Sequence, residues 1–436
     1  MVAQVPTLAT DTSGAVSPAE DCESKVVVAQ TGISVSDNLL EQLPPDGGFL
    51  AWVQCGSSFS LYFISWGLVS TFGQFQSYYE ITFPDYTPSQ ISWIGSIEAF
   101  FLIGLGVVAG PIYDYGYMKS LVRVGCFLCF LGMILMSFST KYWHFILSQG
   151  VVLGIGSGCV FIPSIAVLPS YFSKNRALAM GIGASGSAIG GIVFPIMFYQ
   201  LQPQIGFAWT TRIMGLIMLL FSIPPITGMR VLTPPKTVRR IFDTSALTEI
   251  PFLVSCVFFL LLFMGSYIPP FYIQSYGRQT ITGNLSHYLL PFINFGSLVG
   301  KIIPPYFADR FGSFNVQTIC VLLCGILSFT WITVYNTPAL VTFSFFYGFF
   351  SGAMTSLCAN VQVALAPNFG VLGVRLGMGF LPMAAGLLIG APIAGSIHSD
   401  GFIPLKALTG ALLIAALLVL VCLRVMVYGW SLRTKC

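Results

Sequence analysis

Runs of about 20 mainly apolar residues, each long enough to cross a bilayer as a helix, recur along this 436-residue chain. Bounded by charges, prolines and Asn/Asp clusters, twelve can be marked, at roughly 50–74, 91–111, 120–139, 144–168, 177–199, 209–229, 251–273, 286–306, 316–335, 339–362, 376–397 and 404–428. They carry frequent glycine and no period-two alternation. Open strands would leave backbone polar groups unpaired in lipid, so the runs read as helices and not as barrel strands. Only 8% of the residues are charged, against about 25% in soluble domains. A soluble enzyme, a nucleic-acid binder and a disordered scaffold are excluded on that ground. The abundance of Phe (38) and Gly (45) suits helices packed closely in lipid. The expected fold class is an all-α polytopic membrane protein with twelve transmembrane helices.

Residues 1–48 differ: they are polar, rich in Ser, Thr and Val, and hold seven of the fifteen acids. They lack the basic start and apolar core of a signal peptide, so the expectation is a disordered cytosolic tail. Basic residues then set the topology. With the amino terminus inside, thirteen Lys/Arg fall in cytoplasmic loops and the carboxyl tail, and four (Lys141, Arg212, Arg278, Lys406) fall outside. That bias supports the twelve-span count and places both termini in the cytoplasm. The basic cluster from Arg230 to Arg240 sits at the midpoint with Pro234 and Pro235. The expected organisation is a six-helix half over 49–229, a cytosolic linker over 230–250, a second half over 251–428 and a short cytosolic tail over 429–436.

The two halves echo each other at an offset near 195 residues. Gly110-Pro-Ile-Tyr-Asp114-Tyr-Gly116 follows span 2, and Pro305-Tyr-Phe-Ala-Asp309-Arg310-Phe-Gly312 follows span 8. Arg176-Ala-Leu-Ala-Met-Gly181 opens span 5, and Arg375-Leu-Gly-Met-Gly379 opens span 11. Parallel six-helix repeats are the architecture of a major facilitator. The Asp-centred turn resembles that superfamily's loop between helices 2 and 3. The resemblance implies that Asp114, Asp309 and Arg310 take part in pairing across the seam between halves, whose release helps the carrier change sides.

Two further stretches narrow the resemblance. Pro44-Pro45-Asp46-Gly47-Gly48-Phe49-Leu50-Ala51-Trp52 precedes span 1, and Tyr171-Phe172-Ser173-Lys174-Asn175-Arg176-Ala177-Leu178-Ala179-Met180-Gly181 precedes span 5. With Ser92-Trp93-Ile94-Gly95-Ser96 in span 2, they resemble the monocarboxylate-porter branch of the major facilitators, most closely its fungal members. Asp46, Gly47 and Gly48 suit a tight turn, and Trp52 an interfacial anchor. Lys174 and Arg176 hold the entry to span 5 on the cytoplasmic side. Animal proton-coupled members carry a Lys in helix 1 and an Asp–Arg pair in helix 8. Here span 1 has no Lys, Ser297 stands where the acid would be and Lys301 takes the Arg-like place. Neither lactate as substrate nor that branch's proton relay carries over.

Few ionisable residues lie at membrane depth. Glu98 is about seven residues inside span 2 from its outer end. A charged acid there costs at least ~2.5 kcal/mol, so it must face a cavity, be protonated or be paired. It is the candidate proton-coupling residue, with a neutral acid bonded to a neighbouring helix as the alternative. Lys301 is the second candidate, for an anionic substrate or for Glu98, with snorkelling to the near interface as its alternative. Gln54, Ser58, Tyr62, Tyr267, Tyr272, Asn294, Asn360 and Gln362 are candidates to line a central cavity, because helices 1, 4, 7 and 10 do so in the fold resembled.

Other motifs carry nothing. Gly154-Ile-Gly156-Ser-Gly158 lies inside a span with no strand before it, so it is packing and not a dinucleotide loop. The cysteines and the three histidines form neither a metal set nor a disulfide framework, and no cofactor is expected. Without a phosphate-binding lysine loop, transport is not driven directly by ATP. Asn284-Leu-Ser286 is a glycosylation sequon on the expected outer side. The expected function is secondary active transport of a small organic anion or fungal metabolite, proton-coupled, in the plasma membrane. No nucleic acid and no obligate protein partner is implied. The alternative is a non-transporting nutrient sensor on the same fold.

Overall fold

A computed structural model of the chain describes residues 47–172, 176–232, 245–281, 284–365, 372–397 and 401–429. Among the described residues the regular structure is helical throughout and makes twelve helical passages; nine helices, with Leu178–Gly228 counted once, are long and apolar enough to cross a membrane. The first, α1, is built from Phe49–Ile64, Trp66–Val69 and Phe72–Thr82. Next come α2 (Pro88–Gly104 and Gly106–Ile112) and α3 (Met118–Ser137). The passage α4 joins Tyr142–Phe145, a π-helical stretch Ile146–Leu153, and Gly154–Ala166. The continuous segment Arg176–Gly228 folds back at Gly206 into α5 (176–205) and α6 (207–228).

In the second half, α7 (Ile250–Ser266 and Ile268–Thr280) and α8 (Leu289–Gly300 and Ile303–Phe311) are each broken near the middle. They are followed by α9 (Ser313–Thr330), α10 (Thr337–Leu365), α11 (Leu372–Ile397) and α12 (Phe402–Tyr428). Several helices outrun their apolar runs. Thr87 caps α2 through the capping box with Gln90, so α2 starts at Pro88. Polar residues such as Gln76, Glu80 and Gln274 continue α1 and α7 beyond their apolar stretches. Hydropathy marks where lipid ends, not where hydrogen bonding ends.

The internal repeat is written into the backbone. Gly116 (φ 89) turns the chain after α2 and Gly312 (φ 88) after α8, while Gly206 (φ 77) and Gly401 (φ 100) turn it after α5 and α11. A left-handed backbone excludes most side chains, so glycine recurs at matched offsets. The main contacts between the halves are α2 with α11 and α5 with α8, which the repeat makes equivalent, and α1 with α7. That pattern is a pseudo-two-fold arrangement.

Helix pairs approach to backbone distance at glycines. A Cβ on Gly186 of α5 would overlap the Phe59 carbonyl of α1, and one on Gly348 of α10 would overlap the Ile293 carbonyl of α8. A Cβ at Gly181 would meet nothing within 4 Å. Gly186→Val should therefore lower the thermal midpoint of the purified carrier, by overpacking worth about 1–3 kcal/mol or more. Gly181→Ala should leave it unchanged or raise it, and equal melting of the two variants would contradict this packing.

Candidate functional site

Glu98 is fully buried in α2, ten residues, or about 15 Å, beyond the Pro88 start of the helix. Its Oε2 accepts a hydrogen bond from Gln149 Nε2 (3.1 Å), and Gln149 Oε1 accepts one from the Tyr79 hydroxyl (2.8 Å). Gln149 lies in the π-helical stretch of α4, a local widening common at functional positions. Gly150 and Gly154 let α4 close on α2, since a Cβ on Gly154 would stand 3.1 Å from the Glu98 Cα and carbonyl oxygen. Glu98 Oε1 has no partner. The triad lies wholly in the first half, among α1, α2 and α4.

Lys301 marks the break in α8 between Gly300 and Ile303. Helix α8 runs on for ten residues beyond Lys301, to Phe311. Its Nζ donates to Ser187 Oγ of α5 (2.7 Å), and Asn294 Nδ2 donates to the Gly191 carbonyl one contact away (2.8 Å). These bonds join the halves. Among the described residues Glu98 and Lys301 are not bonded to each other: Glu98 is bonded to Gln149 of α4 and Lys301 to Ser187 of α5.

The remaining candidates separate by contact. Gln54 donates to the Gly228 carbonyl (2.9 Å) and accepts from the Arg230 amide (3.0 Å), capping the end of α6. Ser58 donates to the Ser164 carbonyl of α4 (2.6 Å), and Tyr272 to the Ala391 carbonyl of α11 (2.9 Å). Tyr62 and Tyr267 are half-buried, Asn360 is exposed, and buried Gln362 has neither amide atom bonded. Trp52 is half-exposed with its edge against Phe172 (5.5 Å), and Gly48 starts α1. Gly47 has φ 149, and Arg310 bonds Tyr306 of its own helix (2.7 Å). Asp46 and Lys174 lie outside the described residues, and of Asp114, Arg176, Asn284 and Asp309 only the backbone is described.

Tyr267, expected to line a cavity, belongs to an aromatic cluster across the seam at mid-depth. Trp66 of α1 lies 6.2 Å from Tyr267 of α7 and 6.0 Å from Phe161 of α4. Phe161 lies 5.9 Å from Phe380 of α11. Trp66, Tyr267 and Phe380 keep part of their surface uncovered. Rings so placed offer flat apolar faces to a solute between the halves.

Above this cluster, at the end carrying the α1–α2 turn, the halves are closed. The Ser275 hydroxyl of α7 donates to Glu80 Oε2 of α1 (2.6 Å), and Ser89 of α2 donates to the Pro392 carbonyl of α11 (2.7 Å). A Cβ on Gly73 would overlap the Pro270 carbonyl. Sequence reasoning placed Glu80 past the end of span 1, where a charge reads as a loop residue. Lys406, counted among the outer-loop cations, is instead buried in α12, its Nζ 3.6 Å from the Tyr276 ring centroid. The only sequence signal for Gln149 is a Ser-Gln pair inside an apolar run.

Removing the middle of the triad isolates both ends. Gln149→Leu should destabilise the purified protein by about 1–3 kcal/mol, because the Tyr79 hydroxyl and Glu98 Oε2 lose their bonds to it. Glu98→Gln should melt close to wild type. The reverse order in a thermal-shift series would show that the triad is not what holds α4 to α1 and α2.

Residues 49–332 match the Major Facilitator Superfamily. The chain is 38% identical to the MFS-type transporter dbaD of Emericella nidulans, over 81% of this chain and 80% of the relative. It is 33% identical to the aspyridones efflux protein apdF of the same organism, over 85% and 76%. Its fold is similar to a crystal structure of a POT family transporter in complex with 5-aminolevulinic acid, at TM-score 0.72 and 12% identity over 89% of this chain and 99% of that one. Twelve helical passages, a doubled backbone and these similarities together make the chain a transporter, not an enzyme, of the Major Facilitator Superfamily.

Proposed function

We propose that the protein is a secondary active exporter of a fungal metabolite, working by alternating access in the plasma membrane and belonging to a monocarboxylate-porter-like branch. The observation that carries this reading is the seam: the halves are hydrogen-bonded at the α1–α2 end, above a partly uncovered mid-depth cluster of rings from both. A solute held between Trp66, Tyr267, Phe161 and Phe380 has that exit closed until the halves rock. The basic-residue bias supports assigning the closed end to the outside and both termini to the cytoplasm. The cargo is a bulky, partly apolar solute. An acidic group on it is matched by Lys301, which makes no ion pair among the described residues. Export is supported by the name of the efflux relative, and the named relatives lend nothing to a sensor.

Glu98 supplies the proton site. Its unpartnered Oε1 can take a proton without breaking the Gln149 bond at Oε2. The test compares metabolites inside and outside cells with and without the gene, then follows the identified compound in liposomes under a pH gradient. Wild-type carrier should move it against its own gradient, and Glu98→Gln should reduce gradient-driven flux to the level of empty liposomes. Full proton-driven flux in Glu98→Gln would remove Glu98 from the coupling step. Normal metabolite distribution in cells lacking the gene would sink the export reading.

A further inference from the structure

The contact that closes the upper end has a special place in the repeat. Glu80 and Ser275 are 195 residues apart, the repeat offset itself, and they are bonded to each other at 2.6 Å. Residues related by a two-fold axis can touch only where they meet at that axis. The pair therefore sits over the central line between the halves. Below it along the α1–α7 seam come Gly73 against the Pro270 carbonyl, Phe72 against Phe271 at 4.7 Å, and Trp66 facing Tyr267. Fourteen residues of α1, about 20 Å, separate Glu80 from Trp66.

We propose that Glu80 is the acid that latches the outer gate, and that its charge sets how firmly the outer end of the carrier stays shut. The bonds are of the kind that charge strengthens. Glu80 Oε2 accepts from Ser275, Oε1 accepts from Gln76 Nε2 (2.9 Å), and Arg278 Nη2 stands 3.7 Å from Oε2. The Arg278 and Glu80 side chains are 24% and 17% exposed, open enough to water for outside pH to reach them. Arg278 and Tyr272 are the charged and titratable groups that α7 presents to Glu80. The α1–α2 turn carries Asp85 and Tyr86; His398 and Asp400, after α11, lie outside the described residues.

Protonating Glu80 removes the attraction to Arg278 and weakens the bond from Ser275. His287, in the turn after α7, adds to the effect in the same direction. It stacks on Tyr199 of α5 (4.1 Å) and pairs with Gln274 (3.3 Å). Burial, then the Arg278 guanidinium, holds its imidazole below the usual value, so it is neutral in the closed gate. Charging it in acid puts two cations side by side. External acid loosens the gate on both counts.

The proposal rests on the outward orientation assigned above, and hydrogen exchange of the full chain in lipid nanodiscs tests it. At pH 7.5, Glu80→Gln should speed exchange in 72–82 and 268–280 about tenfold, leaving 49–64 and 250–266 unchanged. Acidifying wild type, with correction for the intrinsic pH dependence of exchange, should loosen the same segments, and Glu80→Gln should respond less to pH, keeping only the His287 share. If Glu80→Gln does not fold, Ser275→Ala and the swap E80S/S275E take its place, the first deprotecting the upper end and the second restoring protection. Wild-type protection in Glu80→Gln, or an undiminished pH response, overturns the latch. A carrier that shows the exchange pattern but exports nothing leaves the latch standing and removes only the reading of function.

Discussion

Hydrocarbon cannot solvate a polar group, and nearly every feature of this chain follows from that. Each helix break frees backbone groups that the protein itself must satisfy. The break in α1 is accompanied by Ser65 bonding the Leu61 carbonyl at 2.6 Å and Thr71 bonding Gly67 at 2.8 Å. The same requirement places Gln54 under the open end of α6, where it answers one carbonyl and one amide with a single side chain. Polar side chains in the spans thus divide into those that repair helices and those with bonding capacity to spare. Glu98 Oε1 and the amide of Gln362 belong to the second group. Spare capacity in a dry place is what a proton or a cargo atom can use.

Glycine serves the same constraint from the other side. Helices in lipid gain little from the hydrophobic effect between themselves, so close van der Waals packing has to hold them. Gly186 and Gly190 bring α5 onto α1, while Gly296 and Gly300 bring α8 onto α10. Backbone at that distance behaves as a rigid sheaf, and motion is left to the seams where side chains intervene. Those seams are α1 with α7, α2 with α11 and α5 with α8.

Much of this is legible from residues alone, because spans, sidedness and the repeat depend on composition over tens of positions. The depth of Glu98 is readable for the same reason. Its partner is not: Gln149 reaches it only because α4 widens into a π-helical stretch, and no propensity announces that. The partner of Lys301 is not legible either, since Ser187 comes from α5, 114 residues away in the chain. Glu80 is lost at the top of α1, which continues as helix past its apolar run. Lys406 reads as a loop cation because the rings around it come from α7 (Tyr276) and from the stretch that closes α9 (Trp331 and Tyr335), both far from it in sequence.

The repeat duplicates backbone far more faithfully than chemistry. Positive-φ glycines recur near the 195-residue offset, yet Glu80 is answered by Ser275 and Glu98 by Ile293. Lys301 falls opposite Gly106. A doubled backbone gives the two halves related hinges and seams, so opening at either end is a comparable deformation. If the side chains were doubled as well, nothing would tie one end to pH or to cargo. The single acid of α2, the single lysine of α8 and the unequal pair on the axis break that equivalence. Glu80 stands at the upper end, Lys301 at the break in α8, and Glu98 is buried in the first half alone. In such a carrier the symmetry supplies the motion, and the departures from symmetry supply its direction.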